Sequence, residues 1–93
     1  MPKEWVFEKV DVDCYAGYKG EEAPRAFSHS GKRYEIREIL DRWYEEGPAA
    51  PSTRYEYFKV KSREGEIFLL RYVPSEMSWW LCRKVPSPPF SNN

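Results

Sequence analysis

The sequence is poor in the residues by which enzymes and metal proteins are usually recognised. It has one histidine and two cysteines. Cys14 and Cys82 form no CxxC pair, and with His29 alone they cannot build a zinc site of the usual kind. His29 lies between Ser28 and Ser30 in a predicted turn, and neighbours in a turn do not make a triad, which needs a base oriented across space by a third group. It reads as a surface histidine. Charge of one sign is also lacking: 15 Lys and Arg balance 15 Asp and Glu. No global field therefore draws the protein to nucleic acid or an anionic membrane, and any charge preference must be local. No run of about 18 apolar residues is present to span a bilayer. The start, MPKEWVFEKV, carries Lys3, Glu4, Glu8 and Lys9 where a signal peptide needs an apolar core. The expected compartment is the cytoplasm, where the two cysteines serve as small reduced core residues.

Aromatic rings are abundant instead. Four Trp, seven Tyr and five Phe make up 17% of 93 residues. A chain this short buries only about 60–65% of its unfolded surface, so it forms one core and cannot enclose every ring. Some rings must lie on a surface. The expected organisation is a single domain over residues 1–85, followed by a Pro- and Ser-rich tail at 86–93, VPSPPFSNN from Val85 onward, that is extended or disordered.

Alternating hydrophobicity marks most of the chain as strand. From Trp5 to Tyr15, Val6, Val10, Val12 and Cys14 share one parity, and Lys9, Asp11 and Asp13 the other. GYKGEEAP interrupts the pattern. Gly17 and Gly20 permit unusual backbone angles there, but two glycines without a following helix do not make a phosphate loop. Pro24 to Phe27 is extended, SHSG at 28–31 is a turn with Gly31 able to take positive φ, and KRYEI resumes the alternation, which together predict a hairpin. GPAAPST at 47–53 is a loop. RYEYFKVKS is a strand with Phe58 and Val60 on one face and Tyr55, Tyr57, Lys59 and Lys61 on the other. SREG at 62–65 turns the chain, IFLLRYV at 67–73 is apolar on both faces as a central strand would be, PSEMS turns again, and WWLCRKV at 79–85 is the last strand.

One stretch, YEIREILDRWYEEG at 34–47, fits two periods. Ile36, Ile39, Leu40, Trp43 and Tyr44 recur at helical spacing, and Gly47-Pro48 would stop a helix. A strand with one β-bulge near Glu38 accounts for the same residues, because one extra residue shifts parity and brings Ile39 and Trp43 onto the face that Tyr34 and Ile36 began. Local propensity favours the helix.

The motifs CYAGYK at 14–19, Pro24 to Phe27, GKRYEIREILDRW at 31–43, YFKVKSREGEIFLLRY at 57–72 and WWL at 79–81 resemble those of a bacterial family of small domains of unknown function. The resemblance covers residues 10–82, and none of its motifs is catalytic. Similar domains end some error-prone, repair-type DNA polymerase chains, which implies a link to nucleic-acid maintenance. In such domains the segment at 31–43 looks like the long bent arm of a hairpin. Pairing with Arg25 to Phe27 also requires Lys32 onward to be extended. The resemblance therefore selects a bulged strand, with a helix at 34–45 as the alternative and an α+β fold as its consequence. Asp41 and Arg42 are read as an ion pair over Trp43, with Arg42 or Arg37 stacked on an indole.

The expected fold is all-β: a small, partly open antiparallel barrel of five or six strands, similar to the Src-homology-three type. Trp79 and Trp80 must point to opposite sides of their strand. Trp79, in parity with Leu81, is expected inside, and Trp80, beside Arg83 and Lys84, outside unless the tail caps it. The function expected is a non-catalytic binding module without cofactor or metal. Its face is Tyr55, Tyr57, Lys59, Lys61, Arg71 and Trp80, because rings take stacked bases and cations meet phosphates on single-stranded nucleic acid. The alternative is a protein-interaction module or homodimer that uses the surplus aromatic surface; zero net charge favours it, and the alternation of rings and cations favours nucleic acid.

Overall fold

A computed structural model describes residues 4–16, 22–46 and 54–85. The expectations for the glycine loop at 17–20, the loop at 47–53 and the tail at 86–93 lie outside the described residues. Six strands follow in order: β1 (Glu4–Ala16), β2 (Glu22–His29), β3 (Lys32–Glu46), β4 (Arg54–Ser62), β5 (Ile67–Val73) and β6 (Ser78–Val85). Each pairs antiparallel with the next, and β6 pairs back onto β1, so the sheet closes into a barrel. The all-β reading is borne out, and the ring is complete. Closure leaves the strands described here with neighbours on both sides, so the ladder has no open flank for aggregation.

Two long strands make closure possible. Glu4 to Val10 of β1 pair with β6 and Asp11 to Ala16 with β2. Likewise Ala26 to His29 of β2 pair with the start of β3, while Ile36 to Glu46 of β3 pair with β4. Each long strand thus turns a corner of the barrel. Ser30 and Gly31, at φ 53° and 76°, form the two-residue turn between β2 and β3, the type I′ combination that matches strand twist. Ser62 fixes the next turn: its buried hydroxyl accepts the Glu66 N–H at 3.1 Å, and Gly65 takes φ 94°.

The segment at 34–47 is strand through Glu46, not helix. Its register slips twice, between Ile36 and Glu38 and between Ile39 and Asp41, leaving Arg37 and Leu40 as the extra residues. The second slip corrects the expectation for Trp43. One bulge would carry Trp43 inward; two restore the original parity, so Arg42 stands opposite buried Phe58 and Trp43 opposite Tyr57 on the outside. The expected stacking changes with it. The Arg42 guanidinium lies 4.9 Å from the Phe58 ring centre and 3.9 Å from Glu56, and Asp41 accepts the Arg42 backbone N–H at 2.8 Å.

Phe27, Phe58, Val60, Leu70 and Leu81 have at most 1% of their surface exposed and form the core with Val10. Partly buried rings complete it in two groups. Phe27, Tyr34 and Phe68 have ring centres 5.0 Å apart pairwise, and Trp79 lies 5.4 Å from Phe58 and 4.7 Å from Tyr72. Tilted and edge-on pairs set the negative ring face against a positive ring edge, which adds to the area they bury. Trp79 is thus inside, as its parity required. Replacing Phe58 by Ala removes the ring shared by Trp79 and Arg42; we expect a loss of about 3–5 kcal/mol in urea unfolding, and a loss below about 1 kcal/mol would show that this core is not the one that holds the barrel.

Candidate binding face

Opposite residues of an antiparallel ladder point to the same side of the sheet. The register therefore builds the outer face of β4, β5, β6 and the first half of β1 row by row. Tyr57 stands opposite Arg71, Arg71 opposite Trp80, and Trp80 opposite Lys9. The next row is Lys59, Leu69, Cys82 and Phe7, and beyond it Lys61 faces Ile67 while Lys84 faces Trp5. Tyr55 lies one step beyond Tyr57 on the same parity. All six residues singled out in the sequence thus share one face. Three further rings belong to it: Trp5 and Phe7 from β1, and Trp43, turned outward by the double bulge. The signal for Trp5 and Phe7 was the odd parity they share with Lys9, masked by the stronger valine pattern on the even positions.

On β4, β5, β6 and the first half of β1 this face carries no carboxylate. Tyr55, Tyr57, Lys59 and Lys61 on β4, Ile67, Leu69, Arg71 and Val73 on β5, Ser78, Trp80, Cys82 and Lys84 on β6, and Trp5, Phe7 and Lys9 on β1 include no Asp or Glu. Glu38, Asp41 and Glu45 of β3 stand opposite Lys61, Lys59 and Tyr55 and bound the face on one side. Among the described residues Lys9, Lys59, Lys61, Arg71 and Lys84 make no ion pair, whereas Lys32, Arg33, Arg42, Arg63 and Arg83 elsewhere on the barrel each meet a carboxylate within 4.0 Å. Arg25, Arg37 and Arg54, off this face, also make no ion pair among the described residues, so what the zero net charge hides is the lack of carboxylates at the outward positions of β4, β5, β6 and the first half of β1.

Arg71 is the centre of the arrangement. Its guanidinium lies 4.1 Å from the Phe7 ring centre and 4.7 Å from that of Tyr55, and its Nε is buried without a hydrogen-bond partner. Stacking on two rings holds the cation in place while leaving its charge unneutralised. Lys84 lies 5.2 Å over the Trp5 ring. Trp43 and Tyr57 stack at 5.4 Å and 13°, and the Trp43 indole N–H donates to Glu45 at 3.2 Å. Trp80 donates to the Ser78 hydroxyl at 3.0 Å, and that hydroxyl donates to Glu76 at 3.1 Å, which fixes the indole edge.

Between these rings runs a cleft of about 240 Å³. Trp5 and Phe7 form one side, Trp43 and Tyr57 the other, and Leu69 and Cys82 the floor. It continues into a wider trough of about 560 Å³ edged by Lys59 and Lys84. Cys82 is free and 5% exposed, and burial pushes its thiol up to about 11 even though Arg71 pulls the other way. It lines the cleft as an uncharged group.

His29 departs from its expected surface role. It ends β2 half-buried, and its Nε2 lies 2.5 Å from Glu8 Oε1, while Arg83 reaches Glu8 Oε2 at 3.2 Å. The hydrogen bond from His29 holds the Glu8 carboxyl below its ordinary range, with Arg83 adding to the effect. This cluster ties β1, β2 and β6 together. Among the described residues no three of His, Cys, Asp and Glu gather as a metal would require, and no helix is long and apolar enough to cross a membrane.

Residues 1–85 match the model of a family described as Domain of unknown function (DUF6504). The chain belongs to this family. No curated protein and no solved structure matches it. Membership covers the whole barrel but assigns no activity, so the functional reading rests on the face just described.

The Cys82 pKa gives a pH dependence of definite sign. The folded thiol titrates above a thiol's ordinary 9.0, so its contribution is complete below pH 9 and is lost as pH rises through about 11, because the unfolded chain ionises first. Urea unfolding of the wild type and Cys82→Ala across this range is expected to show their stability difference shrinking with pH. A constant difference would place the thiol in water.

Proposed function

We propose that the outer face of β4, β5, β6 and β1 binds single-stranded nucleic acid without catalysing a reaction on it. One observation carries this reading: five cations, Lys9, Lys59, Lys61, Arg71 and Lys84, lie among Trp5, Phe7, Tyr55, Tyr57 and Trp80 with no carboxylate between them and none of them ion-paired among the described residues. A polyanion with flat, stackable bases is the ligand that uses both features, since rings take bases in any sequence and ammonium groups displace counterions from phosphates. A duplex would offer neither exposed base faces nor a groove that a flat sheet enters. The resemblance of the motifs to domains that end repair-type polymerase chains agrees with this role, as an accessory that holds a strand beside another machine.

A protein-interaction or homodimer face is the second reading, favoured by the exposure of Trp5, Phe7 and Ile67 at 46%, 41% and 49%. The two part on salt. With about four phosphates met, single-strand affinity should fall about 50-fold between 50 and 200 mM salt, and an apolar dimer should be indifferent or tighten. We expect fluorescence anisotropy of a labelled oligothymidine to show that fall, Lys59→Glu to weaken binding, and Arg33→Glu, whose side chain pairs with Asp13 away from the face, to leave it unchanged. A salt-insensitive dimer in light scattering, with no binding to the strand, would replace the first reading with the second.

A further inference from the structure

We propose that the cleft between Trp5 and Phe7 on one side and Trp43 and Tyr57 on the other seats one unstacked guanine base, with Glu45 reading its Watson–Crick edge. This rests on the single-strand reading above and narrows it. The cleft volume of about 240 Å³ falls below the roughly 300–1,000 Å³ of pockets that enclose drug-sized molecules. It suits a single flat group. Its sides are rings and its floor is apolar, so it offers stacking and no partner for a phosphate. Phosphates belong at the wider trough, where Lys59 and Lys84 stand.

Among the described residues, Glu45 is the one carboxylate lining the cleft. It would repel a phosphate, so the group it faces must bring hydrogen-bond donors. The Trp43 indole N–H, donating at 3.2 Å, orients the carboxylate beside the stacked Trp43–Tyr57 pair. Each carboxylate oxygen has two lone pairs, so capacity remains on both after that bond. Guanine presents two donors side by side, N1–H and the 2-amino group, matched to the two oxygens of a carboxylate. Adenine and cytosine set one amino group beside a ring nitrogen that a carboxylate repels. Thymine and uracil set one N–H between two carbonyls. Guanine alone satisfies both oxygens.

The test compares labelled oligothymidine with the same strand carrying one central guanine, both with wild type and with Glu45→Gln. The guanine strand should bind wild type about tenfold more tightly, the discrimination typical of a two-donor contact, and Glu45→Gln should bring the ratio close to one. Hypoxanthine in place of guanine, which keeps N1–H and lacks the 2-amino group, should lose most of the gain. Equal affinity of wild type for the thymine and guanine strands would overturn guanine selection while the single-strand reading stands; binding of neither strand would end both. A ratio that survives Glu45→Gln, or an undiminished gain with hypoxanthine, would remove the carboxylate contact. The wild-type ratio decides guanine selection even if the variant fails to fold.

Discussion

The closed ring of six strands sets everything else in this protein, because it gives each side chain one of two places and makes the inner place small. Phe27, Phe58, Val60, Leu70 and Leu81 fill the interior, and Tyr34, Phe68, Tyr72 and Trp79 close around them. No room is left for the remaining rings. Parity then decides where they go: on β1, β4 and β6 the residue beside each core position is forced outward, and the outward positions hold Trp5, Phe7, Tyr55, Tyr57 and Trp80. The double bulge in β3 adds Trp43 by the same rule. An excess of rings in the sequence thus becomes an aromatic face, not a looser core.

Charge follows the same partition. The cations that pair with carboxylates lie around β2, the turns and the barrel end, as in Arg33 with Asp13, Arg63 with Glu35 and Arg83 with Glu8. Such exposed pairs contribute little to stability. Lys9, Lys59, Lys61, Arg71 and Lys84 make no such pair among the described residues. Held between Phe7 and Tyr55, Arg71 would need little ordering to meet the proposed ligand. A fixed cation loses less side-chain entropy on binding than a free one.

Much of this was legible in the residues. RYEYFKVKS announced both its faces because a strand buried on one side writes burial directly into alternate positions, and the Trp79-Trp80 pair could only be divided between inside and outside. SHSG announced its turn through Gly31, although Ser30 shares the positive φ. The segment at 34–47 was ambiguous because bulges at Arg37 and Leu40 imitate a helical period; parity alone could not count them, and so Trp43 and Arg42 were placed on the wrong sides. His29 was misplaced because its partner, Glu8, is 21 residues away, a distance no local pattern spans. The face of rings and cations was hidden for a related reason: it is assembled from several strands, and whole-chain charge averages to zero.

We propose that the outward rings, with the cations that make no ion pair among the described residues, form one surface that a single strand occupies. Nitrogen-15 NMR of the four indole N–H groups during titration with an unlabelled oligonucleotide tests this within one sample. The account predicts that the Trp5, Trp43 and Trp80 signals move together and saturate while that of Trp79, inside the barrel, stays in place. Signals that all remain fixed, or a response confined to backbone amides near Arg33 and Arg63 on the ion-paired side, would contradict it.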